Sequence, residues 1–359
     1  TGKCARRWSR LLAAEPVPAS RRWGTGHGLR AGGSTRLPGY RPGLLRPMSG
    51  PLLVRGLARV AAGSLAWAAL TAVVLAGPVT LEHEGRELQG RYEAPPAGQP
   101  VVLMVHGTLA HADMEIMTAF REVLAEEGWG ALAVSLSYGE TARSGMYPCE
   151  SLHGHRSSDA DAEIAAWLGW LNERGTGRIV LLGHSRGALQ VAEFAAGRPV
   201  PGVEALVLVA PPLAEPESIA AGYQARYGVS LEDVLAEARE AVDAGRPGAP
   251  VDVPGFLHCP EARVTAESFL SYYGPEAPGN LTALIARSPV PVLVVAGSED
   301  TVSPGLAAAV RPSDKPLVRV VEISGADHFF RDLYAYDVVE SVREFLASAH
   351  ADGSSAPGR

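Results

Sequence analysis

Gly183-His184-Ser185-Arg186-Gly187 places a serine between two glycines, each two positions away. An apolar run at 179–182 leads into it, and Ala188-Leu189-Gln190-Val191-Ala192 leads out with helical composition. A strand that turns sharply into a helix at a serine lifts the hydroxyl to the mouth of a sheet. It also aims the helix N-terminus at any negative charge formed there. The glycines permit the close packing that so tight a turn needs. Alone the five-residue pattern is weak; its place between strand and helix gives it weight. A serine hydroxyl needs a base to become a nucleophile. Two later loops hold candidates. Gly297-Ser298-Glu299-Asp300 follows the apolar run 292–296, and Gly325-Ala326-Asp327-His328 follows the run 318–323. Each loop therefore falls at the sheet edge where Ser185 falls.

A fourth segment, Val105-His106-Gly107-Thr108, follows the apolar run 101–105. With the turn at 183–187, Asp300 and His328, it resembles the α/β-hydrolase family over roughly residues 79–350, apart from an insertion. That resemblance implies Ser185 as nucleophile, His328 as base and Asp300 as the acid that orients the base. Glu299 and Asp327 are neighbouring carboxylates that compete with Asp300 for the role. The resemblance also implies an oxyanion hole built from the backbone N–H groups of Thr108 and Arg186, with His106 bracing the loop. The implied activity is hydrolysis of a small-molecule carboxylic ester by acyl transfer. Thioester, peptide and amide cleavage share the chemistry. An exported binding protein that keeps the fold without turnover is the rival from a different class. No cofactor is implied.

The elements that must hold these residues alternate. Runs at 79–83 and 87–92 read as a hairpin. Strands are predicted at 101–105, 131–136, 179–182, 203–210, 290–296 and 317–323. Helices are predicted at 113–127, from 158 or 159 to about 172, at 185–196, near 304–310 and from about 330 to 349. This is an α/β chain, a mostly parallel doubly wound sheet opened by an antiparallel hairpin. Between the sixth and seventh strands the rhythm stops. Residues 211–288 contain helical pieces, 231–244 the clearest, and no buried strand, so a helical cap is expected there. Within it Phe269, Tyr272 and Tyr273 either line an acyl pocket or, more plainly, pack on one another. Arg186 either meets a substrate carboxylate or pairs with a protein acid. His153-Gly154-His155 with Asp159 and Asp161 faintly suggests ligands, but the spacing fits no hydrolytic metal motif, and no metal is expected.

The 359 residues carry a net charge of −7. Residues 1–47 hold ten Lys/Arg and one acid, a net of +9, which leaves about −16 for 48–359 by subtraction. The basic stretch has no sustained apolar period and reads as a disordered leader. The first Met is Met48, so 1–47 is read as sequence upstream of the true start. A nucleic-acid arm is disfavoured, because the acidic body repels phosphate and no basic-aromatic module is present. Arg55 and Arg59 precede the uncharged run 60–77. Residues 48–77 thus read as a secretory signal peptide, or alternatively as an N-terminal membrane anchor. Periplasmic or secreted localisation is expected. The main domain is placed at 78–350 and a flexible tail at 351–359. Export bears on Cys149 and Cys259, each beside a proline: in an oxidising compartment they either pair or remain two free loop thiols.

Overall fold

A computed structural model describes residues 77–275, 277–310 and 318–354. The expectations for the basic leader and for the apolar run up to residue 76 lie outside the described residues. Among the described residues, no helix is long and apolar enough to cross a membrane.

The chain opens with β1 (Gly77–His83) and β2 (Arg86–Glu93), paired antiparallel across Glu84-Gly85. Both turn residues have positive φ, 49° and 75°, the geometry that matches the twist of a two-residue hairpin. Then come β3 (Val101–Val105), α1 (Glu115–Glu126), β4 (Gly130–Ser135), β5 (Leu152–His153), α2 (Asp159–Glu173), β6 (Ile179–His184), α3 (Arg186–Ala195) and β7 (Val203–Val209). After the insertion follow β10 (Val292–Gly297), α8 (Leu306–Ala309), β11 (Val318–Ile323) and α9 (Tyr334–Ser354).

Eight strands form one sheet in the order β1-β2-β4-β3-β6-β7-β10-β11. Only the pairs made by β2 are antiparallel; from β4 to β11 the sheet is parallel. The central strands are apolar without a break because both faces are covered. In β3, Val101, Leu103 and Val105 join the core that includes Trp167 and Leu189, on α2 and α3. Val102 and Met104 join the other core, with Phe120 of α1 and Val338 of α9. The period of two along the strand thus feeds two layers of helices. α9 runs to Ser354, so residues 351–354 are helical rather than tail. Val339 and Val342 are buried on it and extend the apolar face that holds the helix down.

The insertion between β7 and β10 holds α4 (Pro216–Tyr227), α5 (Leu231–Asp243), β8 (Pro250–Phe256), β9 (Cys259–Thr265), α6 (Ala266–Tyr273) and α7 (Leu281–Ala286). The expectation of a purely helical cap is corrected here. β8 and β9 pair antiparallel, and β5, from the loop before α2, joins β9 in parallel to make a second, three-stranded sheet. These strands bury one face only, so they lack the continuous apolar runs of the main sheet. Pro254, Gly255 and Pro260 also interrupt them, each where a reader of the sequence expects a break. A disulfide joins Cys149 to Cys259 across 110 residues, with Cα atoms 5.3 Å apart, and fixes the loop before α2 to the start of β9.

Candidate active site

Four loops at the carboxyl ends of β3, β6, β10 and β11 meet above the sheet. The turn after β6 is tight enough to exclude side chains on both flanks of Ser185. A Cβ on Gly183 would collide with the backbone of Gly187 and Ala188, and one on Gly187 with the carbonyls of Val105 and His106. Ser185 itself has φ 55° and ψ −123°. That is a costly conformation for a residue with a side chain, held because the neighbouring strands and helix determine it. The Ser185 N–H donates to Val209 O at 2.8 Å, which ties the turn to β7.

The loop after β11 brings His328 Nε2 to 3.0 Å from Ser185 Oγ. On its other side, His328 Nδ1 is 2.8 Å from Asp300 Oδ2. The remaining oxygen, Asp300 Oδ1, accepts N–H bonds from Val302 at 2.7 Å and Ser303 at 2.9 Å. The carboxylate is therefore fixed from both ends and buried. Its two rivals are placed elsewhere. Asp327 pairs with Arg331 at 2.7 Å, and Glu299 is exposed. Ser185, His328 and Asp300, from three distant parts of the chain, thus form one hydrogen-bonded line.

Of two buried histidines, His184 is bonded to this line and His106 braces the loop that carries Thr108. His184 Nε2 lies 2.8 Å from the carbonyl of His328 and donates to it. His106 Nε2 accepts the Leu136 N–H at 3.0 Å, so its Nδ1 carries the proton and donates to Gly107 O at 2.8 Å. Arg143 Nη2 approaches the same Nε2 at 3.1 Å. Burial, with Arg143 nearby, lowers the His106 pKa to about 3; burial lowers that of His184 to about 4, against a raising effect of its bond to His328. Both rings are neutral braces at ordinary pH. The backbone N–H groups of Thr108 and Arg186 donate to no acceptor among the described residues. Both residues line a cavity of about 420 Å³ that contains Ser185 and His328.

Beside it lies a second, largely apolar cavity of about 320 Å³ lined by Leu189, Leu213, Ile219 and Tyr272. Arg186, Tyr273 and Val302 line both. Of the three aromatic candidates in the insertion, Tyr272 and Tyr273 therefore reach a cavity. Phe269 does not: it is fully buried against Tyr273 and Phe256 inside the cap, and its expected substrate contact is corrected. Arg186 forms no ion pair among the described residues; its guanidinium stands 5.4 Å from the Tyr272 ring centroid.

His153 and His155 are buried in an aromatic cluster. His153 Nδ1 is 3.2 Å from His155 Nε2, and His155 Nδ1 is 2.8 Å from Tyr272 Oη. Asp159 and Asp161 pair with Arg156 and Arg198 instead. One other grouping, Cys149, His258 and Cys259, has the proximity of metal ligands. Its two sulfurs are bonded to each other and offer no thiolate. Sequence reasoning missed Arg226 and His258 of the insertion, which line the cavity at Ser185. No motif marks either; only the folded cap brings them there.

The sequence model of the alpha/beta hydrolase family matches residues 102–340, and the chain belongs to that family. No curated protein matches it. Among solved structures it is similar to Est1E from Butyrivibrio proteoclasticus, at 18% identity and a TM-score of 0.53, over 77% of this chain and 99% of that one. A second structure of Est1E, with ferulic acid bound, gives 19% identity and a TM-score of 0.55, over 76% and 99%. The structure of DcsB in complex with its substrate analogue is similar at 17% identity and a TM-score of 0.54, over 76% and 99%. At these identities the likeness is one of fold.

Proposed function

We propose that the chain is a serine hydrolase that cleaves carboxylic esters by acyl transfer through Ser185. The observation that carries this reading is the continuous line from Ser185 Oγ to His328 Nε2, at 3.0 Å, and from His328 Nδ1 to Asp300 Oδ2, at 2.8 Å, opening into a cavity. In the proposed cycle Ser185 Oγ attacks the ester carbonyl while His328 Nε2 takes its proton. The resulting oxyanion accepts from the unpaired N–H groups of Thr108 and Arg186. The C–O bond breaks, the alcohol leaves with the proton from His328, and the acyl group stays on Ser185. A water then gives its proton to His328 and attacks the acyl carbon; the bond to Ser185 Oγ breaks, His328 returns the proton to that oxygen, and the carboxylic acid leaves. Asp300 holds the Nδ1–H tautomer throughout.

The same steps serve thioesters and amides. A non-catalytic binding role is disfavoured by the complete hydrogen-bonded line. The test is covalent labelling by a fluorophosphonate. Labelling is expected in the native protein and lost in Ser185→Ala; labelling that persists in that variant rejects Ser185 as nucleophile.

The run at 60–77 further supports an exported protein, periplasmic or secreted, or one held at a membrane by that segment. The mature N-terminus, sequenced from the native source, tests this: a start near Gly77 is expected for a cleaved signal.

A further inference from the structure

The cavity at Ser185 has an unusual charge for this protein. Residues 48–359 carry about −16 by subtraction, yet neither Asp nor Glu lines the cavity. Two arginines do, Arg186 and Arg226. The histidine His184, which also lines it, is neutral, its pKa lowered to about 4 by burial.

Neither arginine has an ion-pair partner among the described residues. For Arg186 this is costly. Its Nε is buried with no hydrogen-bond partner, and a buried donor without an acceptor calls for a specific explanation. The acid on its own helix is Glu193, two turns along. It makes no ion pair with Arg186; burial, then Asp161, raises its pKa to about 7 against the lowering effect of Arg186, Arg198 and Arg287. The guanidinium instead faces Tyr272, whose ring holds it by a cation–π contact without neutralising it. Arg226 lies in the last turn of α4, where the helix dipole favours a cation in any case. Its placement on the exposed rim of this cavity is a separate fact, and Tyr273 and His258 stand on the same rim. His258, Arg226 and Arg186 line the same cavity, and the His258 pKa is lowered by burial first and then by the two arginines.

A guanidinium presents a planar fork of donors that fits a carboxylate with two parallel hydrogen bonds. Here Arg186 lies on the wall that the two cavities share, and Arg226 lines the Ser185 cavity from an exposed position. The adjoining cavity, which Arg186 also lines, is mainly apolar, with Glu215 as its one acid, and suits a hydrocarbon part. We propose that Arg186 and Arg226 form a carboxylate-binding subsite, so that the preferred ester carries a free carboxylate on the part seated in this cleft. This rests on Ser185 being the nucleophile.

Two matched ester pairs test it. The mono-4-nitrophenyl ester of adipate is compared with its methyl-capped form, and 4-carboxyphenyl butyrate with its methyl ester. The first pair puts the charge on the acyl side and the second on the alcohol side. Rates are corrected for spontaneous hydrolysis, and each variant is read as the ratio of kcat/KM for the charged to the neutral member. The native protein is expected to favour the charged member of at least one pair by about tenfold or more. High salt should shrink the preference. The ratio should fall toward one in Arg186→Gln and in Arg226→Gln, and below one in Arg226→Glu. Should Arg186→Gln fold poorly, the Arg226 variants, at an exposed position, give the same reading. Hydrolysis of the neutral esters with no preference in either pair overturns the subsite and leaves the hydrolase standing. So does a preference that survives in both arginine variants. Absence of fluorophosphonate labelling at Ser185 overturns both.

Discussion

The carboxylate of Asp300 spends its two oxygens on different tasks. Oδ1 accepts two backbone N–H groups from its own loop, and Oδ2 faces His328 Nδ1. Asp300→Asn separates these tasks. The amide oxygen keeps the loop bonds, but its NH₂ then faces Nδ1, which must become an acceptor. Nε2 is left carrying the proton and cannot take one from Ser185. We expect kcat to fall by about a thousandfold or more, with the melting temperature little changed. A variant that retains most of its kcat would remove Asp300 from the mechanism. The convergence of Ser185, Asp300 and His328 was legible because each follows an apolar run and strand ends on one sheet edge meet; the family resemblance singled out Asp300 from Glu299 and Asp327. Arg226 and His258 were not. One ends a helix of no distinctive pattern and the other sits in a hairpin turn, and their approach to Ser185 depends on how the whole insertion folds.

At the level of elements, the elbow between β6 and α3 leaves no room for a single added methyl group at Gly187, where the carbonyls of Val105 and His106 already stand in the way. Those atoms belong to β3 and to the loop that presents Thr108, so they cannot yield without moving the proposed oxyanion donors. Gly187→Ala should therefore cost on the order of several kcal/mol of stability. It should also lower kcat for every ester alike. Thermal unfolding and a neutral-ester assay check this; a variant with native melting temperature and turnover would show that the elbow has slack. The same packing explains what the sequence revealed of the fold. β3, β4 and β6 are buried at every position, so their apolar runs are unbroken. β8 and β9 alternate buried and open positions around prolines, and β5 is two residues long. β8 and β9 form a local hairpin, but β5 joins it from a hundred residues away, a relation that local pattern does not carry.

For the molecule as a whole, the buried histidines set a lower pH limit. His106 and His155 are held to pKa values of about 3 and His184 to about 4, in each case chiefly by burial. An unfolded histidine titrates near 6.5. Below that pH the unfolded chain takes up three protons that the folded chain refuses, so stability is present above about 6.5 and is lost as pH falls. Glu193 works in the opposite direction. Its folded pKa of about 7 means the native state binds a proton that the unfolded state releases above about 4.5. Among these four groups the histidines outnumber Glu193, so their combined effect is a loss of stability as the pH falls below about 6.5. Urea unfolding at pH 7 and at pH 5.5 should show a clear drop in the midpoint. An unchanged midpoint would mean that these rings reach water more freely than their packing indicates.

The bond between Cys149 and Cys259 turns the polypeptide between them into a closed ring. That ring contains α2, β6, Ser185, α3 and β7, while Asp300 and His328 lie on the open strand that follows it. A protease that nicks the backbone at one point from 150 to 258 thus breaks the ring without parting the molecule. The two fragments travel together on a non-reducing gel and separate only when a thiol is added. A nick beyond 259, between Ser185 and its two partners, has no such tether. Ser185 is therefore guarded against the loss of its own scaffold, and Asp300 and His328 are not.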